Sequence, residues 1–171
     1  MRLRIAIATL LLVSAAAHVS ARPAARPAVS PRTACDLLTK SEVAAVQGEA
    51  YAKTSLTNTG AKSQCFYELP SFVNSVSLDI LRDDAATYWR RNFGEEREEN
   101  EEAEREGKGK EAGPKVIRGI GREAFWTGNR TGSLYVFNGR AVLRISVGGP
   151  GTEAEKIARS KKLAANALRR M

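Results

Sequence analysis

The side chains that could do chemistry in this chain are few. Asp36, Glu68, Asp79 and Glu123 are carboxylates scattered outside the one strongly acidic run. Two carboxylates flanking a cleft suffice for glycoside hydrolysis, but nothing in their spacing brings any two together. The single histidine, His18, lies in an N-terminal stretch that reads as an export signal. A processed chain would therefore carry no imidazole, which removes histidine-dependent triads, zinc sites and proton shuttles together. Asp-rich calcium loops, GxSxG, HExxH and Walker motifs are absent, so the residues suggest no catalytic group, metal or cofactor. Gly119-Ile120-Gly121-Arg122-Glu123-Ala124 matches a GxGxxA dinucleotide fingerprint in letters only. That fingerprint needs a helix directly after the glycines, and Ala124-Phe125-Trp126-Thr127 reads as extended, so a tight strand connection is expected.

The most informative pattern is Asn138-Gly139 between two alternating runs, Ser133–Phe137 and Arg140–Val147, which predicts a hairpin with a two-residue type I′ turn. In that register Phe137 pairs with Arg140, Tyr135 with Val142 and Ser133 with Arg144. Leu134, Val136, Leu143, Ile145 and Val147 then form an aliphatic face that must be core. The other face carries Tyr135, Phe137, Arg140 and Arg144, with Arg122, Trp126 and Arg130 as neighbours to consider. Interleaved aromatics and arginines can hold stacked rings, acidic groups or sugars. Equally, the aromatics can pack under a helix while arginine stems cover their edges.

The elements that must position these groups follow from composition and spacing. The chain has 171 residues, with 27 Lys+Arg, 19 Asp+Glu and a formal net charge of +8. Arg2 and Arg4, the apolar run Ile5–Val13 and Val19-Ser20-Ala21 match the three regions of a cleavable signal over 1–21. The apolar run is short for a membrane span, so no transmembrane anchor is expected after cleavage. Residues 22–33 hold Pro23, Pro27 and Pro31 with three arginines, as in an extended linker. The remaining 34–171 is of single-domain size and holds 22 basic and 19 acidic residues. Two cysteines in an exported chain predict one disulfide, Cys35–Cys65, closing a loop worth roughly 3–4 kcal/mol in the chain-entropy model.

Thr39-Lys40-Ser41-Glu42 is a capping box for a first helix that carries Val43 and Val46 and stops at Gly48. Strands are predicted near 50–57, 62–68 and 72–81, the last with Val76, Leu78 and Ile80 alternating against Ser75, Ser77 and Asp79. A second helix follows Asp83-Asp84 and presents Tyr88, Trp89 and Phe93. Over 94–113 it becomes acidic and solvent-exposed, with Glu101–Arg105 and Glu104–Lys108 in the favourable i,i+4 order. Strands near 115–118 and 123–127 precede the hairpin, and a capping box at Thr152–Glu155 opens a last helix. The order α-βββ-α-βββ(β)-α predicts an α+β fold, helices packed on antiparallel sheet.

Ala34-Cys35-Asp36-Leu37-Leu38-Thr39-Lys40-Ser41-Glu42-Val43, Gly48, and Cys65-Phe66-Tyr67, with Gly119–Trp126 ahead of a Leu-Tyr-Val hairpin, resemble small exported bacterial domains of unknown function. Among these are domains of actinobacterial lipoproteins. The resemblance implies an exported α+β domain and no catalytic residue, and this chain lacks a lipid-attachment cysteine after its apolar run. The expectation is a periplasmic or secreted, non-enzymatic binding module of the cell envelope. Its partner would be an envelope protein or acidic envelope polymer, with no nucleic acid expected. A small carboxylate-dependent envelope hydrolase and a structural subunit of an envelope assembly are the alternatives.

Overall fold

The computed structural model describes residues 32–105, 113–128 and 132–171. The predicted signal at 1–21, nearly all of the predicted linker at 22–33, Arg130 and the stretch 106–112 lie outside the described residues. After one 3-10 turn at Ala34–Asp36 come α1 (Lys40–Gln47), β1 (Lys53–Thr59), β2 (Lys62–Glu68) and β3 (Val76–Leu81). Then follow α2 (Ala85–Arg105), β4 (Lys115–Val116), β5 (Glu123–Thr127), β6 (Ser133–Phe137), β7 (Val142–Val147) and α3 (Glu153–Leu168). The strands form one antiparallel sheet in the order β1-β2-β3-β7-β6-β5-β4. The fold is α+β, as the alternation of strand and helix signals implies.

Local sequence explains where elements start and stop. In α1 the Thr39 hydroxyl accepts from the Glu42 N–H at 3.3 Å, while the Glu42 carboxylate accepts from the Thr39 N–H at 2.9 Å. Gly48 ends that helix at φ +83°, a conformation costly for any residue with a Cβ. Thr152 and Glu155 repeat the reciprocal cap on α3. The strand predicted over 72–81 begins only at Val76, because Phe72–Asn74 make a 3-10 turn instead. Phe72 and Val73 are adjacent apolar residues that break the alternation, and Glu49 pins the turn by accepting from the Asn74 side chain at 3.0 Å.

Side-chain parity divides the sheet into two faces. One face, the core face, carries Cys65, Tyr67, Leu78, Ile80, Leu143, Ile145, Leu134, Val136 and Trp126. It is closed by Leu37 and Leu38, by Val43 of α1 and by Leu163, Ala164 and Ala167 of α3. The disulfide Cys35–Cys65 fastens the N-terminal turn to β2 on this face, and Tyr67 Oη donates to the Ala34 carbonyl at 2.6 Å. Gly132 is required here, since a Cβ would lie 2.0 Å from the Trp126 ring.

Among the described residues, α2 is the helix that packs on the opposite face. Ala85, Trp89 and Phe93 recur every four residues, so one narrow stripe of the helix meets the sheet. They pack on Phe125, Phe137 and Val142, with Leu81, Tyr88 and Tyr135 at the margin. Trp89 stacks on Phe137 at 5.5 Å and Phe93 on Phe125 at 5.2 Å. None of the described side chains of α2 after Phe93 is buried, consistent with the loss of apolar residues there.

The hairpin register differs from the predicted one by two residues. Phe137 pairs with Val142, Tyr135 with Arg144, Val136 with Leu143 and Leu134 with Ile145. The Asn138 side-chain oxygen accepts from both the Arg140 and Ala141 N–H groups, at 2.9 and 2.8 Å. That side chain takes the place of a backbone carbonyl, so the loop spans Asn138–Ala141 rather than Asn138-Gly139. A shift of two keeps every side chain on its face, whereas a shift of one would have inverted them all.

Candidate functional site

Among the described residues α2 packs over β5, β6 and β7, and the rest of that face carries polar residues beside Phe66. Crossing the sheet in register, one row reads Gln64, Asp79, Arg144, Tyr135 and Phe125. Phe125 lies beneath α2, while the members nearer β2 emerge at its margin. There Lys62, Asp79, Tyr88, Tyr135 and Arg144 surround a pocket of about 140 Å³ floored by Leu81 and Val142. A volume of that order holds one ring or one charged group.

The charges of this pocket are unequal. Asp79, only 5 % exposed, accepts from Arg144 Nη1 at 3.0 Å and pairs with Lys62 Nζ at 3.3 Å, both through Oδ2. One carboxylate thus serves two cations. The Arg144 guanidinium lies 6.0 Å from the Tyr135 ring centroid, a cation–π separation. Burial works to lower the Arg144 pKa, but the Asp79 hydrogen bond and charge outweigh it, and the guanidinium is held more firmly protonated. Burial, then the neighbouring Tyr135, pushes the Tyr88 phenol up, so its hydroxyl remains a hydrogen-bond donor at neutral pH.

The seven residues proposed from sequence do not form one surface. Tyr135 and Arg144 meet at the pocket. Phe137 does not face solvent: it is 7 % exposed beneath Trp89 of α2. Trp126 is 1 % exposed on the core face, because its register partner Leu134 points there. Arg140 is an exposed residue of the hairpin loop. Arg122 lines a separate depression of about 330 Å³ formed with Gly119 and Gly121, and its N–H donates to the Phe137 carbonyl at 2.8 Å. Arg130 lies outside the described residues. Glu123–Thr127 is a strand rather than a helix, so the glycines at 119 and 121 make a strand connection. A Cβ on Gly121, at φ +61°, would lie 2.3 Å from Val136 Cγ1.

Sequence reasoning misses Lys62 and Tyr88. Lys62 has the same parity as Gln64 and Phe66 on β2, so its face is readable once the 60–61 turn is located. Tyr88 is one position off the Ala85–Trp89–Phe93 stripe and reads, from spacing alone, as one more buried aromatic.

The four scattered carboxylates each have a structural partner. Asp36 accepts from the Thr33 N–H and hydroxyl, which hold its pKa below the ordinary value. Glu68 pairs with Lys53 at 3.1 Å, and Glu123 accepts from Trp89 Nε1 at 2.7 Å. Asp79 and Glu123 share a face but stand three strands apart, roughly 14 Å at ordinary strand spacing. Paired glycosidase carboxylates stand at about 5–9.5 Å. Among the described residues no three His, Cys, Asp or Glu side chains gather as metal ligands, and no described helix is long and apolar enough to cross a membrane.

Fold and site together define a disulfide-stapled α+β domain whose sheet, beyond its exposed edge strand β1, has one closed face and one half-open face. No family model, curated protein or solved structure matches this chain.

Proposed function

We propose that this protein is an exported, non-enzymatic binding module of a cell envelope, and that it takes an anionic group at the Lys62–Arg144 pocket. The observation that carries the reading is the pairing of two cations with one carboxylate in a half-buried pocket with an apolar floor. An incoming carboxylate or phosphate restores charge balance there, and the low dielectric strengthens the contact. Tyr135 and Tyr88 supply hydroxyl groups at the same mouth. Export is supported by the arrangement of residues 1–21 and by a disulfide, a bond that persists in oxidising compartments. The partner is then an acidic polymer or an acidic protein surface of the envelope. The separation of Asp79 from Glu123, and their engagement by Arg144 and Trp89, favour binding over carboxylate hydrolysis.

The test is native mass spectrometry of the protein isolated gently from its own envelope. Wild type is expected to lack residues 1–21, to be two hydrogens lighter for the disulfide, and to retain an acidic ligand. Arg144→Gln should lose that ligand while melting within a few degrees of wild type. A wild-type protein that carries nothing, or an Arg144→Gln variant that retains the same mass, overturns the reading.

A further inference from the structure

Next to the cationic pocket, on the same face, lies a second depression. Two residues along the same strands, roughly 7 Å away, the register row reads Ser55, Phe66, Ser77 and Ser146. Ser133, the next residue in spatial order, hydrogen-bonds through its hydroxyl to that of Ser146. Ser77, Ser146 and Lys156 line a trough of about 410 Å³, closed at one end of the strands by Val73 and Gly148-Gly149-Pro150, which pack against each other. Phe66 lines it, with Phe72 beside it at a ring separation of 5.8 Å. Phe72 is 66 % exposed and Val73 71 % exposed, so apolar surface borders a floor of hydroxyls.

We infer that pocket and trough are one groove and that its ligand is an acidic saccharide. The carboxylate of the saccharide lies against Arg144 and Lys62, its hydroxyls meet Ser77 and Ser146, and a sugar ring lies on Phe66. The inference rests on the anion-binding reading above and names its ligand class. Three properties of the groove select a saccharide over an acidic peptide. The floor is the face of a sheet, so its backbone N–H and C=O groups are already spent in the ladders. An extended peptide, which docks through backbone hydrogen bonds at a sheet edge, meets no strand edge on that floor. Serine hydroxyls both donate and accept, matching sugar hydroxyls without fixing their orientation. The volume lies within the range of small-ligand sites, and the aromatic borders it rather than filling it, leaving a ring face for the apolar side of a pyranose.

The experiment is calorimetric titration of the full, disulfide-bonded protein with three probes: a galacturonic acid trimer, a neutral glucose trimer and triglutamate. The acidic trisaccharide is expected to bind most tightly. Arg144→Gln should abolish that binding, and Phe66→Ala or Ser146→Val should each weaken it about ten-fold. Phe66→Leu keeps the apolar volume without the ring and should weaken it similarly, which guards against a variant that folds poorly. Should triglutamate bind as well, and Phe66→Leu change nothing, the saccharide assignment falls while anion binding stands. If the neutral trimer binds equally and Arg144→Gln is silent, the groove is a sugar site and the anion reading falls. No binding by any probe overturns both.

Discussion

On the core face, Leu78, Ile145 and Leu134 stand side by side across β3, β7 and β6, none of them exposed. One residue further along the same strands, Asp79, Arg144 and Tyr135 form the matching row on the other face. The first row is sealed by two helices and a disulfide-tethered turn. The second passes from beneath a single helix into a solvent-accessible pocket. The contrast comes from how much apolar surface each covering element brings. Helix α3 seats Leu163, Ala164 and Ala167, and small alanines let it approach closely. Helix α2 brings three buried residues, Ala85, Trp89 and Phe93, within nine positions and is polar thereafter. Its short stripe spans the aromatic strands and leaves the polar side of the sheet open.

Truncating neighbours that face opposite ways separates the two faces most strongly. Leu78→Ala removes a fully buried side chain from the closed face and should cost about 2–5 kcal/mol. Ser77→Ala, one residue earlier on the half-open face, should change stability by less than about 0.5 kcal/mol. Chemical denaturation of both variants checks this. Equal losses would mean that the second face is as closed as the first.

A smaller effect tests how α2 is held. Trp89 Nε1 donates to the Glu123 carboxylate on β5, a polar bond that ties the helix stripe to the sheet. Trp89→Phe keeps a ring against Phe137 and Phe125 but leaves Glu123 without that donor. The expected cost is about 1–2 kcal/mol. Amide exchange should quicken on α2 and β5 while the core-face strands β3 and β7 keep their protection. Uniform loss of protection would show that the two faces unfold as one unit.

Much of this division is legible in the residue pattern alone, and the parts that are not have physical reasons. The caps at Thr39 and Thr152, the stop at Gly48 and the disulfide are local or forced by there being only two cysteines. The aliphatic face of β6 and β7 is readable because parity survives a two-residue change of register. The register itself is not, because an asparagine side chain that replaces a backbone carbonyl looks in sequence like an Asn-Gly turn. Ala124, Phe125 and Trp126 are consecutive apolar residues, so β5 shows no wet side. Trp126 therefore reads as a neighbour of the hairpin's outer surface, whereas its pairing with Leu134 places it in the core. For Phe137 the pattern allows both an exposed surface and a helix-covered one. The helix that covers it lies far back in the chain, and only the fold decides that choice. The Lys62–Asp79–Arg144 arrangement likewise joins three strands, which no local spacing reveals.

The smallest effect concerns how the closed face is latched at its margin. Glu42 accepts from the Thr39 N–H through one oxygen and from Arg170 Nη2 through the other, at 2.9 Å each. Arg170 also donates to the Leu37 carbonyl at 3.1 Å, so the end of α3 is tied to α1 and the segment before it. Burial alone would raise the Glu42 pKa, but Arg170 and Thr39 outweigh it, and the carboxyl sits below its ordinary 4.5. A lowered folded-state pKa means the unfolded chain binds the proton more readily. The contribution is therefore complete above the unfolded value, near 4.5, and is lost as pH falls through the lower folded value. Glu42→Gln can keep the reciprocal cap, since glutamine serves at that position, and removes the charge. At pH 7 it should cost about 0.5–1 kcal/mol, and the gap to wild type should close on acidification. A pH series of denaturation midpoints for the two chains measures the gap directly. A gap that does not narrow as the pH falls below 4.5 would mean that Glu42 acts through packing rather than through its charge. The closed face would then owe its margin to side-chain fit rather than to charge.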